Sequence, residues 1–430
     1  MYPLGFTAAE KIALPPGTPV RHRLRQLSAW LDYAVELGCS GLLLGPVFAA
    51  GTHGYDTVDH YRIDPRLGDE ADFDALAEAA AGRGLRIVLD GVFNHVARSF
   101  PHPQWFRRDP AGGFATFEGH EQLVALDHSN PAVADYVASV MAYWLDRGAA
   151  GWRLDAAYAV PASFWHKALP KVRAAYPDAW FTGEMIHGDY AGYAACAGLD
   201  SVTQYELWKS IWSSLNDGNF FELAWTLDRH NGYLSGVLPQ TFAGNHDVTR
   251  LASQLTDERH IGHALAVLFT VGGIPSVYYG DEQAFRGVKE HRAGGDDEIR
   301  PAFPASPSSL SPDGWPVYRL HQRLIGFRRR HPWLVRARTT VQHLANRAIA
   351  YQSAWAGESV TVLLNIGDEP FRFPVSVPGA PGAPGAPGAL GAPGAPGAPG
   401  VPGAEVVTPE PGAHPADPAL VPAHSWTILA

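Results

Sequence analysis

The stretch Gly151-Trp152-Arg153-Leu154-Asp155-Ala156-Ala157 decides how the rest of the chain is read. It begins as an apolar strand and ends in an arginine and an aspartate two positions apart. Side chains alternate faces along a strand, so Arg153 and Asp155 point the same way and Leu154 points opposite. Charge at the end of a buried strand needs a partner, because unpaired buried charge is costly. Taken alone, Arg-x-Asp reads as a structural ion pair. What other strand ends carry decides whether it is more.

Working outward, short apolar runs alternate with longer helical patterns. A helical pattern over 24–37, closed by Gly38, precedes an apolar strand over 39–48. A helix over 73–81, ended by Gly82 and Gly84, precedes a strand over 85–90. Asn130 as cap and Pro131 at the first helical position open a helix to Asp146, which leads into the opening strand. Further strands are expected over 180–184, 199–205, 240–242 and 274–279. This alternation predicts a parallel (β/α)8 barrel, a TIM barrel, over residues 1–330. A doubly wound sheet is the alternative, and the early strands lack its Gly-rich phosphate loop. Residues 2–6 would end the first strand with almost nothing before them, so either that strand is short or the gene start is placed late.

Residues 96–125, rich in Pro, Gly and aromatics, are too long for an ordinary connection and predict an ordered excursion over the barrel mouth. After a helix over 317–330, alternating strands over 348–353, 359–365, 371–377 and 425–429 predict an all-β sandwich domain at 331–430. Inside it, 378–403 carries glycine at every third position among Pro and Ala. A collagen-like rod needs that period. Strands on either side that must return to one sheet favour a low-complexity insertion instead.

The formal charge of −10 argues against a nucleic-acid surface. Two cysteines, Cys39 and Cys196, give no disulfide framework and suit a reducing compartment. Neither a signal peptide nor an apolar run of membrane-spanning length is visible, so a soluble cytoplasmic protein without a membrane partner is expected.

In such barrels, active sites sit at the C-terminal strand ends. Those ends carry Tyr55 and Asp56, then Asp90, Asn94 and His95, then Arg153 and Asp155, then Glu184, then Asn245, His246 and Asp247, and finally Asp281 and Glu282. Each alone reads as structural; together they gather carboxylates and two histidines around one mouth, where they should perturb one another's pKa values. A metal-dependent hydrolase could use His95, His246 and the acids, but it would lack a third strand-end histidine and place Arg153 among the ligands.

The strings DGVFNH (90–95), GWRLDAA (151–157), GE (183–184) and AGNHD (243–247) resemble, in order, the four signature regions of the α-amylase family, glycoside hydrolase family 13. GYDTVDHYRIDPRLG (54–68), LDHSNPAV (126–133) and GIPSVYYGDE (273–282) resemble its accessory regions, and the short excursion is similar to members of the α-glucosidase and neopullulanase kind. The resemblance implies a retaining glycoside hydrolase acting on α-glucosidic bonds of maltooligosaccharides. Asp155 would be the nucleophile, Glu184 the general acid/base and Asp247 the third carboxylate. Arg153 should keep Asp155 ionised, and Glu184, among other carboxylates, should have its pKa raised. His95 and His246 would bond sugar hydroxyls, Tyr55 would stack on the ring and Asp90 would support. Arg300 would pair with Asp56 and close a pocket, implying exo action, or be a rim ion pair. Arg250 would be a clamp or an ordinary helix-start charge.

Transglycosylation or isomerisation of the trehalose- or sucrose-processing kind is the alternative within the family, and a non-catalytic, carbohydrate-binding family member is the alternative from another functional class. Family amylases with Lys-His after the nucleophile region differ from this chain, which has Tyr158-Ala159. That departure removes a lysine contact to the leaving sugar and a contributor to a calcium site. No cofactor or metal is therefore expected to be required, although Asn94 would remain as a calcium ligand.

Overall fold

The computed structural model describes residues 1–292, 294–375, 405–412 and 415–430. Seven short parallel strands lie side by side in chain order. β1 (Gly41–Leu44), β2 (Arg86–Gly91), β3 (Ala149–Leu154), β4 (Trp180–Gly183) and β5 (Ser201–Val202) form one sheet, each paired in parallel with the next. A parallel bridge from Thr203 to Gln240 leads to β6 (Gln240–Phe242), which pairs in parallel with β7 (Ile274–Ser276). Helices such as Glu70–Ala81, Pro131–Asp146 and Ala162–Arg173 separate successive strands, as a parallel α/β fold requires.

Local chemistry sets these elements. Asp69 and Asp72 form a reciprocal capping box on the first of those helices, and Asn130 caps the second by accepting from Ala132 N–H at 3.0 Å. Gly151 allows β3 to approach β4 closely, since a Cβ there would lie 2.2 Å from the Trp180 carbonyl oxygen.

Several boundaries differ from the sequence reading. Pro3–Phe6 is one helical turn rather than a strand end, because proline cannot donate to a ladder. Met1 alone lies along β1: its amino group donates to the Leu43 carbonyl, and its own carbonyl accepts from Gly45 N–H, each at 2.7 Å. The helix over 24–37 breaks at Ala29-Trp30 into Leu24–Ser28 and Leu31–Leu37. The run over 39–48 is interrupted at Gly45-Pro46, and Phe48–Ala50 turns away to pair antiparallel with Thr57–Ile63.

Within residues 96–125 the chain forms an antiparallel three-stranded sheet, in the order His95–Ala97, His120–Ala125, Thr116–Phe117. Past the helix Trp315–Arg330 comes an antiparallel sheet in the order Arg338–Leu344, Ala348–Trp355, Glu358–Asn365, Ser425–Leu429, Val406–Val407. Its first strand was not foreseen. The run over 371–377 contributes only Phe371–Arg372, paired with Leu420–Val421; its last two residues and the repeat at 378–403 lie outside the described residues. Trp426 and Ile428 of the antiparallel sheet share one apolar core with Leu265 and Phe269 of the helix Ile261–Thr270. Among the described residues, no helix is long and apolar enough to cross a membrane.

Candidate active site

Register places the charges. Asp90 at the end of β2 is the direct parallel partner of Arg153 on β3, and Arg153 is the partner of Thr182 on β4. The ladder runs on past the strands: Asp155 N–H donates to the Gly91 carbonyl at 3.1 Å, and Glu184 N–H to that of Leu154 at 2.9 Å. Adjacent strand ends therefore bring three carboxylates to one guanidinium.

Arg153 Nη1 donates to Asp90 Oδ1 at 2.8 Å and Oδ2 at 2.9 Å, and to Asp155 Oδ1 at 2.8 Å. Its Nη2 lies 2.9 Å from Glu184 Oε1. All four residues are buried. One buried guanidinium is shared by three buried carboxylates: Arg153 favours the charged form of Asp155, and burial opposes it. Burial outweighs Arg153 and pushes Asp155 up to about 7, with Asp90 and Asp247 adding to the rise. Glu184 rises to about 7 for the same reason, as expected of it, and Asp90 to about 6. The cluster holds protons near neutrality.

Ala156 connects Asp155 to Glu184. It sits at φ 45°, a left-handed conformation uncommon for alanine, and its N–H donates to Glu184 Oε2 at 2.9 Å. Strain of this kind persists where surrounding structure enforces it, commonly at functional sites. On the other side, Tyr205 OH lies 3.4 Å from Glu184 Oε1, Asn245 Nδ2 donates to that hydroxyl at 2.9 Å, and Asn245 Oδ1 accepts from Asp247 N–H at 2.9 Å.

Asp247 belongs to a second charge group. Arg300 Nη2 contacts Asp247 Oδ1 at 2.8 Å and Asp296 at 3.0 Å, while Arg300 Nε donates to the His246 carbonyl at 2.9 Å. Arg300 therefore does not pair with Asp56. Its loop turns it onto the strand-end acid, while Asp56 accepts from Thr52 Oγ1 at 2.8 Å. His246 Nε2 lies 3.0 Å from Asp247 Oδ2, and burial holds His246 down at about 3, so it is neutral. Burial works against the Asp247 charge, but His246 and then Arg300 and Arg153 work the other way and bring its carboxyl well below the usual range.

The Tyr55 ring lies parallel to His246, 5.7 Å between centroids and 4° between planes. Its hydroxyl contacts His246 Nε2 and lies 3.3 Å from Asp90 Oδ2. Tyr2 also stacks on His246, with the Arg300 guanidinium 4.8 Å from the Tyr2 ring. His95 is buried and stacks on Phe117 at 4.4 Å, so the three-stranded excursion is packed onto a residue of the site; Asn94 Nδ2 reaches His95 Nδ1 at 3.1 Å. The excursion makes a second contact: Glu118, at its hairpin turn, accepts from Tyr158 OH at 2.7 Å.

Two strand-end candidates face elsewhere. Asp281 pairs with buried Arg250 at 3.0 Å and Glu282 accepts from Tyr33 OH at 2.9 Å, so both serve internal packing. Arg250 also donates to the Tyr279 carbonyl, making it a buried clamp rather than an exposed helix-start charge. The sequence reading missed Tyr205, Tyr2, Phe117 and Glu118. Tyr205, just past β5, carried a strand-end signal, whereas the other three depend on how distant loops fold back.

This arrangement sets one carboxyl able to donate a proton beside another able to attack. The chain matches the alpha-amylase catalytic-domain family model over residues 23–112 and 99–354. It is 28% identical over 382 residues to a cyclomaltodextrinase of Geobacillus thermopakistaniensis (81% of this chain, 62% of that protein). It is 31% identical over 291 residues to neopullulanase 2 of Thermoactinomyces vulgaris (60% of this chain, 49% of that protein). Among solved structures, the ligand-free cyclic α-maltosyl-(1→6)-maltose hydrolase of Arthrobacter globiformis superposes with a TM-score of 0.72 at 25% identity, over 86% of this chain and 90% of that one. The chain spans about half to two thirds of the length of the curated relatives it matches.

Proposed function

This chain belongs to the alpha-amylase family, and from that premise we propose that it is a retaining glycoside hydrolase of α-glucosidic bonds in maltooligosaccharides or related α-glucans. On this reading the seven parallel strands and Met1 form a (β/α)8 barrel over 1–330, 96–125 is a short B domain, and 331–430 is the all-β domain. The observation that carries the reading is the single guanidinium of Arg153 shared by Asp90, Asp155 and Glu184.

With Asp155 Oδ1 held by Arg153, Oδ2 is presented to the anomeric carbon. Holding Asp155 and Glu184 on the two terminal nitrogens of Arg153 suits the ~5–5.5 Å carboxyl separation of retaining enzymes. Glu184, its pKa raised by burial to about 7, carries the proton for the leaving oxygen. Protonation loosens its contact with Arg153, while Ala156 N–H keeps hold of Oε2. The proton that leaves with the aglycone is recovered when Glu184, now a base, takes one from the incoming water. Asp247, held ionised beside Arg300, stabilises positive charge developing on the sugar ring. Tyr55 gives that ring an apolar face, and His246, whose Nε2 meets Tyr55 and Asp247, is placed to exchange one of those contacts for a sugar hydroxyl.

Glu184→Gln tests the assignment. Turnover of maltotriose should fall by roughly 10²–10⁴-fold. Turnover of an aryl α-maltoside, whose leaving group needs little protonation, should fall much less. Unchanged turnover of maltotriose would remove Glu184 from the mechanism.

A further inference from the structure

Away from the strand-end carboxylates, three chelating side chains meet where the last strand of the antiparallel sheet packs on the helix Ile261–Thr270. Asp257 caps the 3-10 turn Glu258–His260, which His260 completes, and His424 immediately precedes the strand Ser425–Leu429. His260 Nε2 lies 3.1 Å from His424 Nδ1 and 3.9 Å from Asp257 Oδ2. One ligand atom from each residue lies within 4.8 Å of the other two. His260 is buried and its two partners are half-buried.

The outer contacts fix the chemistry of the inner atoms. His424 Nε2 lies 3.0 Å from Asp368 Oδ1. A carboxylate only accepts, so Nε2 carries the ring proton and Nδ1 turns its lone pair toward His260. A carboxylate behind an imidazole in this way is the arrangement that orients metal-bound histidines.

We infer that Asp257, His260 and His424 form a zinc site that ties the antiparallel sheet to the α/β part of the chain. Zinc bound at 2.0–2.1 Å in a tetrahedron sets its ligand atoms roughly 3.3 Å apart, and the two observed separations bracket that spacing. Two imidazoles and one carboxylate suit zinc, whereas calcium and magnesium favour all-oxygen sets. Water completes the tetrahedron. Arg259 already engages Asp257, with Nη2 2.6 Å from Oδ2 and Nε 3.0 Å from either oxygen. It therefore retains Oδ1 when Oδ2 turns to the metal. The rival arrangement is metal-free, with His260 Nε2–H donating to His424 Nδ1.

The test uses the full chain, stripped with chelator and titrated with Zn²⁺ by calorimetry, with Ca²⁺ as control. One equivalent of zinc should bind, raise the melting temperature by several degrees and leave glycosidase activity unchanged. Co²⁺ in its place should give the visible absorption of a tetrahedral site. His424→Gln should abolish the tight equivalent, and Asp257→Asn should weaken it at least tenfold; neither residue touches the proposed catalytic groups. Absence of saturable binding overturns the inference. So does a tight equivalent that survives His424→Gln, which would place the metal elsewhere. If His260→Gln fails to fold, His424→Gln, at the less buried imidazole, decides alone.

Discussion

Replacing Arg153 by methionine should produce a loss of stability that grows with pH. The side chain makes four contacts of 2.8–2.9 Å to three buried carboxylates. Removing one member of a buried ion pair costs about 3–5 kcal/mol when the other stays charged. At pH 8 all three acids are above their folded pKa values of about 6 for Asp90 and about 7 for Asp155 and Glu184, so that full cost applies. At pH 5 the same groups are largely protonated in the folded chain, and Arg153 gives up only hydrogen bonds, about 1–2 kcal/mol in total. The sign follows from proton binding. Acids with raised folded pKa values bind more protons folded than unfolded, so stability falls as pH rises through the interval between the two pKa values. Losing Arg153 raises the folded values further and carries that fall to higher pH. Urea denaturation of both proteins at pH 5 and pH 8 measures the difference, with Arg153→Lys as a variant that keeps the charge but not the fork. A penalty equal at the two pH values would show that Arg153 acts by packing alone and would refute the shared-charge account.

Other consequences of the same geometry can be measured. Asp155→Asn removes one of the carboxylates competing for Arg153, and should stabilise the protein by about 1–3 kcal/mol at pH 8 and by little at pH 4, while abolishing turnover. A stability gain independent of pH would contradict this. The kcat/KM profile on maltotriose should be bell-shaped: activity is lost as pH falls and Asp155 is protonated, and lost again as pH rises and Glu184 gives up its proton. Both limbs belong to the coupled pair. Ala156→Gly relaxes the left-handed backbone, so stability should change by less than about 1 kcal/mol, while kcat falls because the N–H that holds Glu184 is less fixed. Tyr158→Phe breaks the bond to Glu118 at a cost of about 0.5–1.5 kcal/mol; it should raise KM for longer oligosaccharides more than for an aryl maltoside if the hairpin forms part of the substrate-binding wall.

Much of this site was legible because strand ends announce themselves. Apolar runs such as Ala149–Trp152 within β3 stop abruptly at charged residues, and parallel register then places Asp90 beside Arg153 without further information. Tertiary choices were not legible. Arg300 lies 53 residues from Asp247 and much further from Asp56, with helices and strands between, so nothing local could say that it would reach Asp247 rather than Asp56. Asp281 and Glu282 share a strand-end position with the site acids, yet Arg250 and Tyr33, supplied by other elements, draw them into internal packing. Short punctuators also shifted boundaries: Pro3 turned the expected first strand into a helical turn, and Pro46 split an apolar run in two. The rise in the Asp155 pKa was missed for a different reason. Adjacency to an arginine is visible in the string, but the number of carboxylates sharing that arginine is visible only in space.

The most direct test of the central claim is the anomeric configuration of the product first released from maltotriose, followed by proton NMR before mutarotation. Retention through Asp155 and Glu184 predicts the α-anomer; initial release of the β-anomer would contradict the account.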